Sequence, residues 1–240
     1  MKKQNTPDIT TDWYEKSYTK SGFGAQRQYP NEELMRFLGR NYFSIPLQSR
    51  RSLKILEVGC GSCSNMWAIA KEGFAGYGID ISEESIKLGH QMLERWGTKA
   101  KLAVASMTDL PYENEYFDVI CDVFSSYCLT DTQFMAYLSE AGRTLKKGGK
   151  IFSYTPSTGS DAFTNFGPAK KVDKHTLDGV RRQTSPYYGN FYPFRFTDPK
   201  EARKLYGQRG IRITHCELVD RTYRAQKEKF QFLILEGTKA

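Results

Sequence analysis

Apolar positions in the middle of the chain follow two alternating periods. Short apolar runs have the length of β-strands, and most of the segments between them repeat apolar residues every three or four positions, as amphipathic helices do. A polar loop precedes the run at 119–124. The runs of strand length lie at residues 53–58, 75–80, 101–105, 119–124 and 150–154. Strands that alternate with helices predict an α/β fold, in which helices cover both faces of a doubly wound, mostly parallel sheet.

A final helix and two further strands complete the predicted sheet. Asp198, Pro199 and Glu201 form a helix start, with a capping carboxylate, a proline in the first turn and an acidic residue three positions after the cap. The apolar segments 211–219 and 230–235 follow, and a short polar connection between them suits an antiparallel pair. We therefore predict a seven-stranded sheet with an antiparallel last strand, in a three-layer α/β/α sandwich.

Two segments depart from this alternation. Residues 1–48 carry aromatic side chains, two hinge-like glycines and a helix beginning at Asn31, and we interpret them as an N-terminal arm and helix that form a lid. An arm that merely packs on the domain is the alternative. Residues 157–196 show no period, which is typical of a functional segment, and we interpret them as a small substrate cap inserted after strand five. The binding core is then 49–156, and residues 197–240 complete the sheet.

The first strand runs into a glycine turn, and the stretch reads LKILEVGCGSCS from Leu53 to Ser64. Glycines between a strand and a helix let the backbone approach a ligand and direct free N–H groups at it. Asp80, at the end of the next strand, suits a pair of ribose hydroxyls. A dinucleotide-binding turn would have glycine at position 64, so this turn indicates a different nucleoside cofactor, with a nicotinamide-dependent oxidoreductase as an alternative.

Several motifs in this region resemble those of the class I S-adenosylmethionine-dependent methyltransferases. Glu57 begins E-V-G-C-G-S-C, which is similar to the family's first motif, E/D-x-G-x-G-x-G, with Cys63 in place of the third glycine. Residues 110–120, LPYENEYFDVI, resemble the family's loop into strand four, and residues 145–156, LKKGGKIFSYTP, its turn into strand five. The resemblance covers roughly residues 53–156. It implies a methyltransferase of Rossmann-like fold whose cofactor is S-adenosyl-L-methionine.

The resemblance also implies roles for individual residues. Glu57 would hold the turn and the methionine end of the cofactor, Asp80 would accept hydrogen bonds from both ribose hydroxyls, and Ile81 would pack on the adenine. Ser106 stands where many relatives have an acidic residue, so its contact to the adenine amino group would be weaker. The complete set is Glu57, Gly59, Cys60, Gly61, Asp80, Ile81, Ser106, Met107, Asp122 and Val123.

Catalytic residues are harder to predict, because in-line methyl transfer depends mainly on positioning and on exclusion of water. His175 lies in the cap beside Asp173 and Lys174 and is the predicted general base, with a structural role as the alternative. Tyr127 is the second catalytic candidate. The residues predicted to contact the acceptor are Tyr14, Tyr18, Arg27, Asp161, Tyr187, Tyr188 and Arg195.

Charge and composition limit the partners and the cellular compartment that we expect for the protein. A net charge of +8 reflects either lysine-rich helix faces or an anionic partner such as a phosphorylated substrate or RNA. The five cysteines suit reduced thiols in a cytoplasm, and a Cys60-x-x-Cys63 pair without a second pair nearby predicts no metal site. Neither a signal peptide nor an apolar run long enough to span a membrane is evident, so we expect a cytoplasmic protein without a membrane segment.

We therefore expect methyl transfer to an oxygen or nitrogen atom of a polar small molecule. A sugar, a sugar nucleotide or a natural-product intermediate is the expected acceptor, and an anionic one would match the charge of the chain. An RNA or protein methyltransferase that uses the basic, aromatic cap is the main alternative. A cofactor-binding protein without catalytic activity is a further one.

Overall fold

A computed structural model describes residues 6–240, so the first five residues of the predicted arm lie outside the described part. Two helices precede the sheet, α1 (Thr6–Ser21) and α2 (Glu32–Tyr42). As the sequence predicts, α2 begins after Asn31, whose side-chain oxygen accepts a hydrogen bond from the N–H of Leu34. The arm is thus largely helical.

Strands and helices then alternate as predicted, with a loop instead of a helix between β3 and β4. The first eight elements are β1 (Lys54–Val58), α3 (Met66–Lys71), β2 (Ala75–Asp80), α4 (Glu83–Arg95), β3 (Lys101–Val104), β4 (Phe117–Val123), α5 (Asp131–Thr144) and β5 (Leu145–Pro156). The remaining ones are α6 (Asp161–Thr164), β6 (Thr176–Leu177), β7 (Phe194–Arg195), α7 (Pro199–Gly207), β8 (Ile211–Tyr223) and β9 (Glu228–Lys239).

Seven strands form one sheet in the order β3-β2-β1-β4-β5-β9-β8. The first five are parallel, and β9 runs antiparallel to both β5 and β8. The predicted fold class is therefore confirmed, including the antiparallel last strand. The strand order reverses between β1 and β4, where crossovers to opposite sides leave a crevice at the carboxyl ends of the strands.

Apolar side chains on both faces of the central strands make two cores. In β1, Ile55 and Leu56 are fully buried on opposite faces, as expected for a strand covered by helices on both sides. The first core includes apolar residues of α2, α3 and α4, and the second includes those of α5 and α7. This arrangement is the predicted three-layer sandwich. Among residues 6–240, no helix is long and apolar enough to cross a bilayer.

Strand β5 begins earlier than the predicted start at residue 150. It extends back to Leu145, and its pairing with β4 shifts register between Phe117 and Val119. Gly148 has a positive φ of 72°, and a Cβ on Gly149 would lie 2.8 Å from the carbonyl oxygen of Lys146. The two glycines therefore serve a distorted entrance to the strand.

The segment predicted as a cap, 157–196, contains only α6 and the two-residue pair β6–β7 as regular elements. A cluster of charged groups attaches it to the core. Asp131, at the start of α5, forms an ion pair with Arg195 and lies 2.9 Å from His175 Nδ1, while His175 Nε2 lies 2.9 Å from the Glu201 carboxylate of α7. Arg195 is only 2% exposed and stacks over Phe134 at 4.1 Å.

We expect the substitution Asp131→Asn to lower the free energy of unfolding by about 3 kcal/mol, because it leaves the buried Arg195 guanidinium without its counter-charge. Urea denaturation measures the change. Glu32→Gln is the matched control, since Glu32 pairs with Arg36 at the surface and its loss changes stability by less than about 1 kcal/mol. Equal effects of the two substitutions would show that the cap is held by other contacts.

Candidate functional site

A cavity lies at the carboxyl ends of β1, β2 and β4, beside the reversal of strand order. It contains about 700 Å³ of space, part of which is open to solvent. Its walls come from α1, from the segment that follows α1, and from residues at the ends of β1 to β4. We call it cavity A.

The turn after β1 approaches cavity A closely because its glycines carry no side chains. Gly59 has a φ of 62°, and a Cβ there would lie 2.6 Å from Cβ of Ser125. Cys63, where the sequence departs from glycine, also adopts a positive φ of 65°. Its sulfur lies beside Gly89 of α4, where an added Cβ would be only 2.8 Å from it. The glycine on α4 leaves the space that the Cys63 side chain occupies.

Glu57 is the most unusual carboxylate in cavity A. It is 1% exposed, and its Oε1 accepts a hydrogen bond of 2.5 Å from Nδ2 of Asn65. Its Oε2 is buried and has no hydrogen-bond partner among the described residues. Burial raises the pKa of this carboxyl to about 8, against a partial lowering by Asn65 and Arg27. An unpaired buried oxygen of this kind is suited to a cationic ligand group.

Asp80 connects the turn to the start of α4. One carboxylate oxygen accepts the N–H of Gly61 at 2.9 Å, and the other accepts the N–H of Ser82 at 3.0 Å. Burial raises the pKa of Asp80, and the two backbone bonds oppose this rise. Each carboxylate oxygen accepts about two hydrogen bonds, so Asp80 keeps capacity for ligand hydroxyls.

A second cavity, which we call cavity B, adjoins cavity A. The two share six lining residues, namely Tyr14, Tyr18, Gln26, Arg27, Val123 and Phe124. The other walls of cavity B are largely aromatic and come from α1, the 157–196 segment and the β8–β9 hairpin. A molecule in cavity B would therefore lie next to a molecule in cavity A.

Phe124 separates the two cavities in a strained conformation. It directly follows β4 and has a φ of 58°, which is rare for a bulky residue. Its N–H donates to the Tyr154 carbonyl at 2.7 Å, and its ring stacks on Tyr187 with centroids 5.0 Å apart. Backbone strain held in place by surrounding contacts is typical of functional sites.

Three tyrosine hydroxyls meet in cavity B. Tyr127 lies 2.5 Å from the Tyr14 hydroxyl and 2.6 Å from the Tyr192 hydroxyl, and Tyr14 and Tyr192 are 3.2 Å apart. Each hydroxyl both donates and accepts, so the three satisfy one another in a ring. Burial raises the pKa of all three phenols, so they are neutral hydrogen-bonding groups near neutral pH.

Helix α1 covers the site. The Tyr18 hydroxyl lies over the glycine turn, where a Cβ on Gly61 would be 2.8 Å from it. Glu15, on the same helix, accepts hydrogen bonds from the N–H of Glu83 at 2.6 Å and that of Glu84 at 3.4 Å. This carboxylate therefore attaches α1 to the positive N-terminal end of α4.

Residues 55–149, about two fifths of the chain, match a family model described as "Methyltransferase domain". The matched segment contains the glycine turn, Asp80 and the strand-five entrance. Residues 55–149 are therefore a methyltransferase domain, and its motifs resemble those of the class I S-adenosylmethionine-dependent enzymes.

Curated relatives support the same domain over part of their length. A demethylmenaquinone methyltransferase from Bacillus mycoides is 35% identical over 104 residues, which cover 41% of this chain and 42% of that protein. A phthiotriol/phenolphthiotriol dimycocerosates methyltransferase from Mycobacterium leprae is 27% identical, over 62% of this chain and 50% of that protein. The chain thus spans about half, or less, of the length of these relatives.

A solved structure shows that the fold extends beyond the matched segment. Magnesium protoporphyrin IX methyltransferase from Synechocystis, solved with bound SAH, superposes with a TM-score of 0.65 at 14% identity. The superposition covers 98% of this chain and all of that one. The arm and the 157–196 segment therefore belong to an architecture that other methyltransferase folds share.

Most of the residues predicted to contact the cofactor line cavity A of the methyltransferase domain. Those that do are Glu57, Gly59, Cys60, Asp80, Ile81, Ser106, Met107 and Val123. Gly61 lies just outside the lining and gives its N–H to Asp80. The expectation for Asp122 does not fit its geometry, because this carboxylate is fully buried and bonded to Ser125, Ser126 and Ser153.

The residues predicted to act on the acceptor divide into two groups. Tyr14, Tyr18, Arg27, Tyr127 and Tyr187 line cavity B. His175, Asp161, Tyr188 and Arg195 line neither cavity. Both ring nitrogens of His175 face carboxylates of the core, so its position favours the structural role over that of general base. Asp161 accepts the N–H of Lys229 at 2.7 Å, and Tyr188 is half exposed on the surface.

Other lining residues escaped sequence analysis. In cavity A they include Gln26, Ser64, Asn65, Phe124, Ser125 and Cys128, and in cavity B they include Trp13, Tyr154, Tyr192, Arg221 and Phe232. Asn65 follows the glycine turn by four residues, and its proximity to Glu57 offered a signal. Arg221 and Phe232 come from the distant hairpin, which the sequence pattern does not connect with the site.

The two buried aspartates should respond differently to removal of charge. We expect Asp80→Asn to weaken S-adenosylmethionine binding by about 1–3 kcal/mol, because it removes charge-assisted hydrogen bonds inside cavity A. Asp122→Asn, outside the cavity, is expected to lower thermal stability while changing affinity less than about threefold. Calorimetric titration and thermal melting separate the two effects. A large loss of affinity for Asp122→Asn with normal stability would restore its predicted role.

Proposed function

We propose that the protein transfers a methyl group from S-adenosylmethionine in cavity A to a small molecule in cavity B. The observation that carries this proposal is the shared wall of the two cavities beside the unpaired buried carboxylate oxygen of Glu57. Direct displacement needs the donor and the acceptor side by side in a site that excludes water. Adjoining cavities under a helical cover suit that requirement.

The residues of cavity A fit this cofactor. Glu57 Oε2 would accept from the ammonium group of the methionine moiety, which supplies the partner that the buried oxygen lacks. Asp80 would bind ribose hydroxyls, and Ile81 and Met107 offer apolar surface to the adenine. When bound, the cofactor supplies a methyl group on a sulfonium, a good leaving group for displacement.

Helix α1 would act as the lid in this reaction. Tyr14 and Tyr18 contribute to both cavities, and the Glu15 carboxylate is the polar tie between α1 and the start of α4. Closing such a helix over the site excludes water from the reacting atoms. Opening it would release products.

Charge pairing in the 157–196 segment favours a small acceptor over RNA. Arg181 pairs with Asp178 and Arg182 with Glu228, while Lys174 pairs with Glu201. These pairs neutralise much of the basic character from which the RNA alternative was inferred. The sugar nucleotide acceptor expected from the sequence remains a prediction. The aromatic walls of cavity B favour acceptors that contain a flat ring.

Calorimetric titration with S-adenosylmethionine, S-adenosylhomocysteine and NAD tests the donor. We expect the first two to bind and NAD not to bind. Transfer of an isotope-labelled methyl group to small-molecule fractions, compared with transfer to RNA, tests the acceptor class. Binding of NAD alone would contradict the proposal, and labelled RNA with a steep salt dependence would favour the alternative.

We expect S-adenosylmethionine affinity to rise with pH by roughly tenfold per unit between pH 6 and 7.5. The Glu57 carboxyl, with a pKa of about 8 in the free protein, is mostly protonated in this range, and the ammonium binds only its ionised form. Binding therefore releases a proton, which titrations in buffers of different ionisation enthalpy detect.

Glu57→Gln should give weaker and nearly pH-independent binding over the same range. Glu94→Gln, an exposed change on α4, is the matched control and should keep the slope of the parent protein. A steep slope that persists in Glu57→Gln would assign the proton to another group.

Helix α1 should open more readily when the contact between Glu15 and the start of α4 is weakened. We expect Glu15→Gln to raise the dissociation rate of S-adenosylhomocysteine several-fold, because a neutral amide interacts less favourably with the helix N-terminus than a carboxylate does, by about 0.3–1 kcal/mol. Stopped-flow displacement measures the rate. Asp12→Asn, an exposed change on the same helix, serves as the control. Unchanged dissociation in both variants would contradict the role of Glu15.

A further inference from the structure

The charged groups that line cavity B have one sign. Arg27 and Arg221 both reach the lining, and within residues 6–240 it includes no aspartate, glutamate, histidine or lysine. Neither arginine forms an ion pair with another described residue. Arg27 is within electrostatic range of Glu57 in cavity A, a carboxylate that the proposed function pairs with the cofactor ammonium. Two guanidinium groups without a direct ion pair favour an anionic ligand and oppose a cationic one.

The walls around these arginines are aromatic and suit a flat ring. Tyr154 and Phe232 stack with centroids 4.9 Å apart and planes 12° from parallel. Arg221 lies over the Phe232 ring at 5.7 Å, which places the charge at the edge of the aromatic wall. Phe124 and Tyr187 form a second stacked pair. A planar ring gains both apolar burial and ring–ring contact in such a space.

Cavity B also lacks a group that would take a proton from the acceptor. Its tyrosines are neutral near pH 7, since burial raises the pKa of Tyr154 to about 12 and raises those of Tyr14, Tyr127 and Tyr187 as well. The carboxylates that line cavity A are Glu57 and Asp80, and the proposed function assigns them to the cofactor ammonium and ribose. A nucleophile that still carries its proton would therefore react poorly here.

We propose that the methyl acceptor is an aromatic anion, a carboxylate or an acidic ring hydroxyl, that is already ionised when it binds. This inference rests on the proposed function. The bond between the acceptor oxygen and the methyl carbon forms as the methyl–sulfur bond breaks, and the bonding electron pair leaves with sulfur. Sulfonium and anion become two neutral products, so the reaction releases no proton and needs no base.

Arg27 and Arg221 would bind the anionic group of the acceptor. The stacked aromatic side chains would keep the acceptor ring next to the wall that cavity B shares with cavity A. Arg27 lines both cavities and donates from Nε to Ser64 at 3.4 Å, so it is positioned at the junction. Arg221 extends from β8 and contributes only to cavity B. Substitution of Arg221 therefore tests the acceptor site without altering the cofactor site.

The test is calorimetric titration of the S-adenosylhomocysteine-bound protein with four probes of related size. These are 2-naphthoate, 2-naphthol, 2-naphthylmethylammonium and decahydronaphthalene-2-carboxylate, which vary charge and aromaticity separately. We expect 2-naphthoate to bind at least about tenfold more tightly than the other three. Equal or tighter binding of the neutral or the cationic naphthalene would overturn the proposal.

Two substitutions in β8 test whether the anionic probe binds at Arg221. Arg221→Gln should weaken 2-naphthoate about tenfold while leaving 2-naphthol and S-adenosylhomocysteine affinities unchanged. Arg212→Gln, at the far end of the same strand, is the matched control and should leave all three unchanged. Unchanged 2-naphthoate binding in Arg221→Gln would overturn the proposed site.

Cofactor affinity separates the two proposals. Failure to bind S-adenosylmethionine would refute the proposed function, and with it the inference about the acceptor. Normal cofactor binding combined with a preference for cationic probes would refute the aromatic anion alone.

Discussion

The position of one buried carboxylate organises the binding site. Glu57 is the penultimate residue of β1 in the centre of the sheet, where helices on both faces remove water, and Asn65 satisfies only one of its two oxygens. Burying a charge without a partner is costly, and the raised pKa expresses that cost. A cationic ligand group removes the penalty. The free energy of cofactor binding is thus linked to how the first strand and the following turn are packed.

The glycine turn exists in this form because its surroundings leave it no room for side chains. Gly59 faces Ser125 and Gly61 faces Tyr18, so substituents there would clash with the loop after β4 and with the lid. Cys63, which stands at the third glycine position of the motif, is accommodated by Gly89 on the neighbouring helix. The departure from the family pattern at position 63 is therefore matched by a small residue elsewhere, and the departure does not argue against the site.

Cavity B is assembled from parts that are distant in the chain. Tyr14 and Tyr192 meet Tyr127 through a ring of hydroxyl hydrogen bonds, which joins the arm, the 157–196 segment and the loop after β4. The charged cluster of Asp131, His175 and Arg195 lies outside both cavities and attaches the same segment to the core. The residues that line cavity B and those that attach the 157–196 segment to the core are therefore different. His175 belongs to the second group, so a residue of a type common among catalytic bases lies away from both cavities.

The sequence by itself determined the fold class and most of the cofactor side. The periods of strands and helices are local properties of the sequence. The turn, Glu57 and Asp80 all lie within one strand–helix–strand unit, so their spacing along the chain is enough to predict how they are arranged. Tertiary structure alone decided which residues line cavity B. Arg221 and Phe232 reach cavity B through an antiparallel hairpin, and Asp122 points away from the cavities because its carboxylate bonds to the hydroxyls of Ser126 and Ser153. Residue type at a strand end does not specify which face a side chain takes, since packing against distant segments decides it.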